Sequence, residues 1–247
     1  MSSLLSLDHQ PKGRWSFDES VAECFDDMAE RSIPLYRPTL DLIARLGSRH
    51  LRVGDAVVDL GIATGAALAS LKQLTGGAWK GIRWIGIDNS PEMLKRARAA
   101  VPGAELFEWD LRDGLPAEIY EARPRVLLCL WTAQFVPVEH RAQLYAACRE
   151  AVAPGGVLFV AEKLRGQTAA HQRILADEYR SWKLRQGYSA EAVEAKARSL
   201  EGALVSMDAP GQKAILMREG WSVEEIIRYL GFAAWQCLPV GAGGLER

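Results

Sequence analysis

From about residue 56 to residue 163 the chain alternates between short continuous apolar runs and stretches in which apolar residues recur at helical spacing. The runs near 56–60, 84–88, 105–110, 125–131 and 156–162 predict strands. The stretches near 65–74, 91–101 and 138–153 predict helices between them. Ser90-Pro91 supplies a helix cap followed by proline at the first helical position, and Pro154-Gly155-Gly156 a turn into the next strand. This alternation predicts an α/β fold with a mostly parallel, doubly wound, Rossmann-like sheet. Its ligand chemistry belongs at the carboxyl ends of the strands.

The flanks read differently. Residues 1–13 are polar and punctuated by Gly and Pro, the pattern of a loose arm. Ser16-x-x-Glu19 has the spacing of a capping box and predicts a helix over 17–31; after a break at Pro34 a second helix runs over 37–47 to Gly47. Beyond residue 163 two long helical stretches, about 167–186 and 189–204, meet at Gly187-Tyr188-Ser189. The charges from His171 to Arg185 read as a solvated helix face. A further helix is expected near 222–230 and a short strand near 233–238, and the tail Gly241-Ala242-Gly243-Gly244 ends the chain without a clear seventh strand. The organisation expected is an N-terminal helical lid (1–50) on a ligand-binding domain (51–247) that carries a helical elaboration over 164–230.

Composition narrows the possibilities. The 247 residues, 49% of them hydrophobic, can fill the core of one large domain. A net charge of -1 gives no global basic field, so direct nucleic-acid binding driven by phosphates is not expected. Cys24, Cys129, Cys148 and Cys237 are scattered, as reduced buried thiols would be, and no stretch has the length of a membrane span. A cytoplasmic protein is expected. The four histidines lack ligand spacing, and no metal is expected.

The chemistry gathers where the first two runs end. Val57-Val58-Asp59-Leu60 passes into the turn Gly61-Ile62-Ala63-Thr64-Gly65, and the second run ends in Asp88, 27 residues after Gly61. This is the layout of a nucleotide-binding βαβ unit. Ala63 stands where a dinucleotide fold has its middle glycine, which disfavours close approach to a pyrophosphate and favours an adenosyl ligand without phosphates, S-adenosylmethionine. Gly61, Ile62 and Ala63 would face its methionine portion. Asp59 is suited to the α-ammonium group, or to capping a helix. The two oxygens of Asp88 suit the two ribose hydroxyls, the alternative being an ordinary turn Asp. In Trp109-Asp110-Leu111, Asp110 and the neighbouring backbone suit the adenine amino group, or Asp110 caps a turn. Trp131, Tyr179, Trp182 and Tyr188 are candidates for an aromatic lining near the sulfonium.

Beyond the adenosyl motifs, which resemble class I S-adenosylmethionine-dependent methyltransferases in general, several segments resemble the carboxy-S-adenosylmethionine synthases of tRNA wobble-uridine modification. They are Phe17-Asp18-Glu19-x-Val21-Ala22-Glu23, Arg31-Ser32-Ile33-Pro34-x-Tyr36, Ile87-Asp88-Asn89-Ser90-Pro91, Thr132-x-Gln134-Phe135, Glu162-Lys163 and Gly187-Tyr188-Ser189. The resemblance implies carboxyl transfer from prephenate to S-adenosylmethionine, through a sulfonium ylide that captures carbon dioxide, in a homodimer. It implies ligand contacts from Tyr36, Gly61, Asp88, Asn89, Asp110 and Leu111, with Tyr36 either folding over the site or serving as a packed aromatic. Two departures stand out. Leu130 occupies the place of an Asn after the fourth strand, and Ala197 the place of a carboxylate-binding Arg, with Arg198 one residue later and so about 100° around a helix. Tyr36, Tyr179 and Arg198 are the catalytic candidates. Carboxylation, methylation of a small-molecule acceptor and intramolecular cyclisation releasing methylthioadenosine all fit the same pocket; a non-enzymatic adenosyl-binding subunit fits least.

Overall fold

The computed structural model describes residues 9, 13–75 and 81–241. Most of the expected N-terminal arm, and the tail after Gly241, lie outside the described residues. Helices α1 (Glu19–Ser32) and α2 (Tyr36–Ser48) lead into β1 (Ala56–Leu60), α3 (Ala66–Leu74), β2 (Arg83–Asp88), α4 (Pro91–Ala100) and β3 (Glu105–Glu108). Then come α5 (Ala117–Ala122), β4 (Val126–Leu130), α6 (Val138–Ala151) and β5 (Val157–Lys163). Helices α7 (Ala169–Arg185), α8 (Ala190–Ser199) and α9 (Ala209–Arg218) precede the hairpin of β6 (Trp221–Tyr229) and β7 (Phe232–Pro239).

The seven strands form one sheet in the order β3-β2-β1-β4-β5-β7-β6. Strands β1 to β5 pair in parallel, and β7 is antiparallel to both β5 and β6. Chain progression reverses between β1 and β4, which opens a crevice at the carboxyl ends of these strands, the usual ligand position in such sheets. Every residue of β1 and β4 is buried, because helices cover both faces. One face packs Leu60, Ile87, Leu127 and Val160 beneath α5, α6 and α9; the other packs Val57, Leu128 and Phe159 beneath α2, α3 and α4.

Four expectations need correction. The segment 222–230 is strand β6, not a helix: Trp221 and Val223 alternate with exposed residues, then a bulge between Glu225 and Ile227 breaks the alternation, so pairing with β7 overrides the helix-forming Glu residues. That strand is the seventh of the sheet. The cap of α1 is Asp18, whose Oδ1 accepts the Val21 amide at 3.0 Å, rather than Ser16; a carboxylate is the stronger acceptor at a helix N-terminus. On α7, Lys183 is only 4% exposed and does not belong to a solvated face. Helices α5 and α9 are additional to those expected from the sequence.

Candidate functional site

The turn after β1 is held against the end of β2. The amides of Gly61 and Ile62 both donate to the Ile87 carbonyl, at 2.8 Å each. Gly61 has φ +77°, and a Cβ there would meet Thr132 side-chain atoms at 2.4 Å, so only glycine fits. Ala63 takes the left-handed region (φ 48°) and Trp131, after β4, does so too (φ 56°); both border the same crevice.

Asp88, at the end of β2, accepts the Ala63 amide on Oδ2 and the Ser90 amide on Oδ1, both at 2.9 Å. Each oxygen keeps a lone pair, enough for one ribose hydroxyl apiece. Burial pushes its pKa up, opposed by these amides. Asp59 is 2% exposed and borders the cavity, and its carboxylate has no hydrogen-bond donor among the described residues. Burial, and secondarily the charge of Asp88, raise its pKa to about 7. A buried carboxyl without a donor suits a cationic ligand group such as an α-ammonium. The residues present therefore fit an adenosyl amino acid.

Asp110 also borders the cavity, but its carboxylate is committed. It caps the turn at Leu111–Asp113 through the Arg112 amide at 2.9 Å, pairs with the Arg112 guanidinium and accepts from Asn89 at 3.4 Å. The Arg112 hydrogen bonds hold its pKa below the ordinary range. An adenine amino group would share this carboxylate with Arg112. Asn89, Leu111 and Leu130 line the same crevice. Beside Leu130, Trp131 carries a buried indole N–H with no acceptor among the described residues.

Tyr36, at the start of α2, is 7% exposed, lines the cavity and packs its ring 5.1 Å from that of Trp131. The N-terminal segment reaches across the site: the Phe17 carbonyl accepts from Ser90 Oγ at 2.6 Å, and the Thr64 hydroxyl donates to Asp26. Tyr179 of α7 lines the cavity and donates its hydroxyl to the Ser32 carbonyl at 2.6 Å. Trp182 stacks on Tyr179 at 6.0 Å from outside the lining. Arg198 is exposed and does not line the cavity; Lys196, two residues earlier on α8, does. Lys163, at the end of β5, and Lys183 of α7 also line it. Sequence reasoning gave neither a role, although the i,i+4 spacing of Tyr179 and Lys183 puts both on one helix face.

The cavity runs unbroken from the Asp88 crevice to a chamber under α7 and α8 and measures about 1350 Å³. A methyltransferase-domain family model matches residues 57–156. The carboxy-S-adenosyl-L-methionine synthase of Wolinella succinogenes is 34% identical over 230 residues, covering 91% of this chain and 93% of that protein. The chain belongs to the carboxy-S-adenosyl-L-methionine synthase family. It is thus a S-adenosylmethionine-using transferase of that family. Solved structures agree on the fold. An O-methyltransferase family protein from Burkholderia thailandensis superposes with a TM-score of 0.64 at 17% identity, covering 92% of this chain and 61% of that one. The DhpI–SAH complex superposes with a TM-score of 0.60 at 19% identity, covering 90% and 93%.

Proposed function

We propose that this synthase-family protein makes carboxy-S-adenosylmethionine itself, transferring a carboxyl group from prephenate to the methyl carbon of S-adenosylmethionine. The observation that carries this reading is the size and continuity of the cavity. Its volume of about 1350 Å³ exceeds the roughly 300–1,000 Å³ typical of a pocket for one small ligand, so the adenosyl crevice leaves a chamber for a second substrate. Intramolecular cyclisation needs no such chamber. In this reading Asp88 takes the ribose, Asp59 the α-ammonium group, and the Gly61–Ala63 backbone the methionine portion. Asn89, Asp110, Leu111 and Leu130 border the adenosine, and Tyr36 closes over it from the N-terminal helices. The indole N–H of Trp131 offers a donor beside Leu130, where the resemblance lacks its Asn. Methyl transfer to a small acceptor is the second reading, supported by the fold shared with methyltransferases.

Mass spectrometry of products after incubation with S-adenosylmethionine, with and without prephenate, tests the proposal. A product heavier by one carboxyl group, formed only with prephenate, is expected. S-adenosylhomocysteine formed with an added acceptor, or methylthioadenosine formed alone, would replace this reading with methylation or cyclisation. Among the described residues no helix is long and apolar enough to cross a membrane. A homodimer is also inferred, through α7, where Ile174 is 66% and Leu184 36% exposed; light scattering that returns a monomer at micromolar concentration would remove it.

A further inference from the structure

We infer that Lys163, Lys183 and Lys196, interleaved with the rings of Tyr179 and Tyr188, form one anion subsite that recognises the second substrate as a small dicarboxylate; this rests on the two-substrate reading above. The three ammonium groups come from the end of β5, the last turn of α7 and the last turn of α8. Lys163 Nζ and Lys183 Nζ lie 4.5 and 5.6 Å from the centroid of Tyr179. Lys183 Nζ and Lys196 Nζ lie 5.1 and 5.9 Å from that of Tyr188. Each neighbouring pair of cations therefore shares one aromatic ring, which attracts charge without neutralising it.

Among the described residues no carboxylate pairs with these charges. Among the described residues none of the three takes part in an ion pair, and Lys196 makes its one direct side-chain hydrogen bond to Ser32 Oγ, at 3.1 Å. Burial pushes all three pKa values down, that of Lys183 to about 8, and the cations repel one another in addition at Lys183 and Lys196. Three like charges brought to one chamber oppose folding, and an anion entering the chamber offsets that cost. Trp15 adds a buried indole N–H without an acceptor among the described residues, on a ring 5.3 Å from Lys196 Nζ.

The chamber selects among anions. Lys183 and Lys196 sit at helix C-terminal turns, where the backbone presents negative ends, rather than at the N-terminal amides that commonly complete a phosphate site. The ring of Tyr179, which lines the cavity, suits a carbon skeleton between two carboxylates. A cationic amine acceptor would meet repulsion, which also sets this subsite against methylation of amines. Arg198, exposed on the outer side of α8, has no part in it.

Calorimetry on protein saturated with S-adenosylmethionine, using malonate and inorganic phosphate as probes, tests the inference with K163M, K183M and K196M. Malonate should bind the wild type, and each substitution should weaken it by about 10–100-fold, the loss of one charge-assisted contact. S-adenosylmethionine affinity should stay within about twofold, since no ligand contact to it is removed. In steady state the KM for prephenate should rise far more than kcat falls. Because each substitution removes a cation without a carboxylate partner among the described residues, the melting temperature of the ligand-free variants should equal or exceed that of the wild type. Malonate should raise the melting temperature of the wild type more than that of the variants.

Folded variants that bind malonate and prephenate like the wild type would overturn the inference, as would lysine-dependent binding of phosphate with none of malonate. The two proposals fail separately. Prephenate-dependent carboxylation with normal KM in all three variants leaves the proposed function standing and removes this subsite. Lysine-dependent malonate binding in a protein that never carboxylates S-adenosylmethionine keeps the subsite and removes the proposed reaction.

Discussion

Two carboxyls, half-buried Asp88 and buried Glu162, show how similar residues take different tasks. Asp88 accepts one amide of its own turn and one of the turn after β1 and keeps acceptor capacity for a ligand, so D88A should weaken S-adenosylmethionine by about 2–3 kcal/mol through lost charge-assisted hydrogen bonds. Unchanged affinity in calorimetry would remove Asp88 from the site. Glu162, next to Lys163 but absent from the cavity lining, is 2% exposed and has no hydrogen-bond partner on either carboxyl oxygen among the described residues. Burial raises its pKa to about 8, with the Arg141 charge and then the nearby Gln134 and Ala133 amides opposing. The folded state therefore holds this proton more tightly than the unfolded chain. Its contribution to stability is full below the ordinary value of 4.5 and is lost as pH rises to about 8. In urea titrations across that window the wild type should lose stability relative to E162Q by a total on the order of a few kcal/mol. Parallel profiles would show that Glu162 ionises freely in the folded protein.

At the scale of elements, Ser90 joins two functions in one side chain. Its hydroxyl accepts the Met93 amide at 3.3 Å as the cap of α4 and donates to the Phe17 carbonyl at 2.6 Å, tying the N-terminal segment to the end of β2. S90A should cost about 1 kcal/mol of stability, a fall of roughly 2–4 °C in Tm for a chain of this size, and should weaken S-adenosylmethionine as well. A lower Tm with unaltered affinity would confine Ser90 to capping. This cap was legible in the sequence, as were β1, β2, β4 and β5, because largely buried strands appear as continuous apolar runs between Gly and Pro signals; β3, whose residues are exposed or half-buried, showed itself only by its place in the alternation. Strand β6 was not: Glu224, Glu225 and Arg228 favour a helix locally, and the pairing with β7 that decides the matter is non-local. The same divide runs through the site. Gly61 and Asp88 announce themselves by spacing within one βαβ unit, whereas Lys163, Lys183 and Lys196 lie on three elements and become neighbours only through the fold. Lysine, an ordinary surface residue, gave no local sign of burial at position 183.

Across the whole molecule, α1 stands between the two halves of the cavity. Its end contacts the α7–α8 unit, where Ser32 receives the Tyr179 hydroxyl and Lys196, and Arg31 donates to the Gln186 carbonyl at 2.8 Å. The segment before it joins the Trp15 amide to the Ser199 carbonyl at 2.9 Å, while Asp26 reaches Thr64 beside the Gly61 turn. These polar links join the N-terminal helix to the elements a ligand would touch, beside the apolar packing of Val21, Ala22 and Met28 on Met93. If the N-terminal segment acts as a lid, ligand binding should stabilise these elements together. At a free concentration of S-adenosylmethionine 100 times its dissociation constant the gain is about 2.7 kcal/mol, which for a chain of this length corresponds to roughly 5–11 °C in Tm. Hydrogen exchange supplies the sharper measurement. Protection on adding S-adenosylmethionine should extend beyond the ends of β1 and β2 to α1, Tyr36 and the last turn of α7, since a closed lid slows local opening in all of them. Protection confined to the strand ends and the Gly61 turn would mean that the N-terminal helices serve the packing of the sheet and take no part in enclosing the ligand.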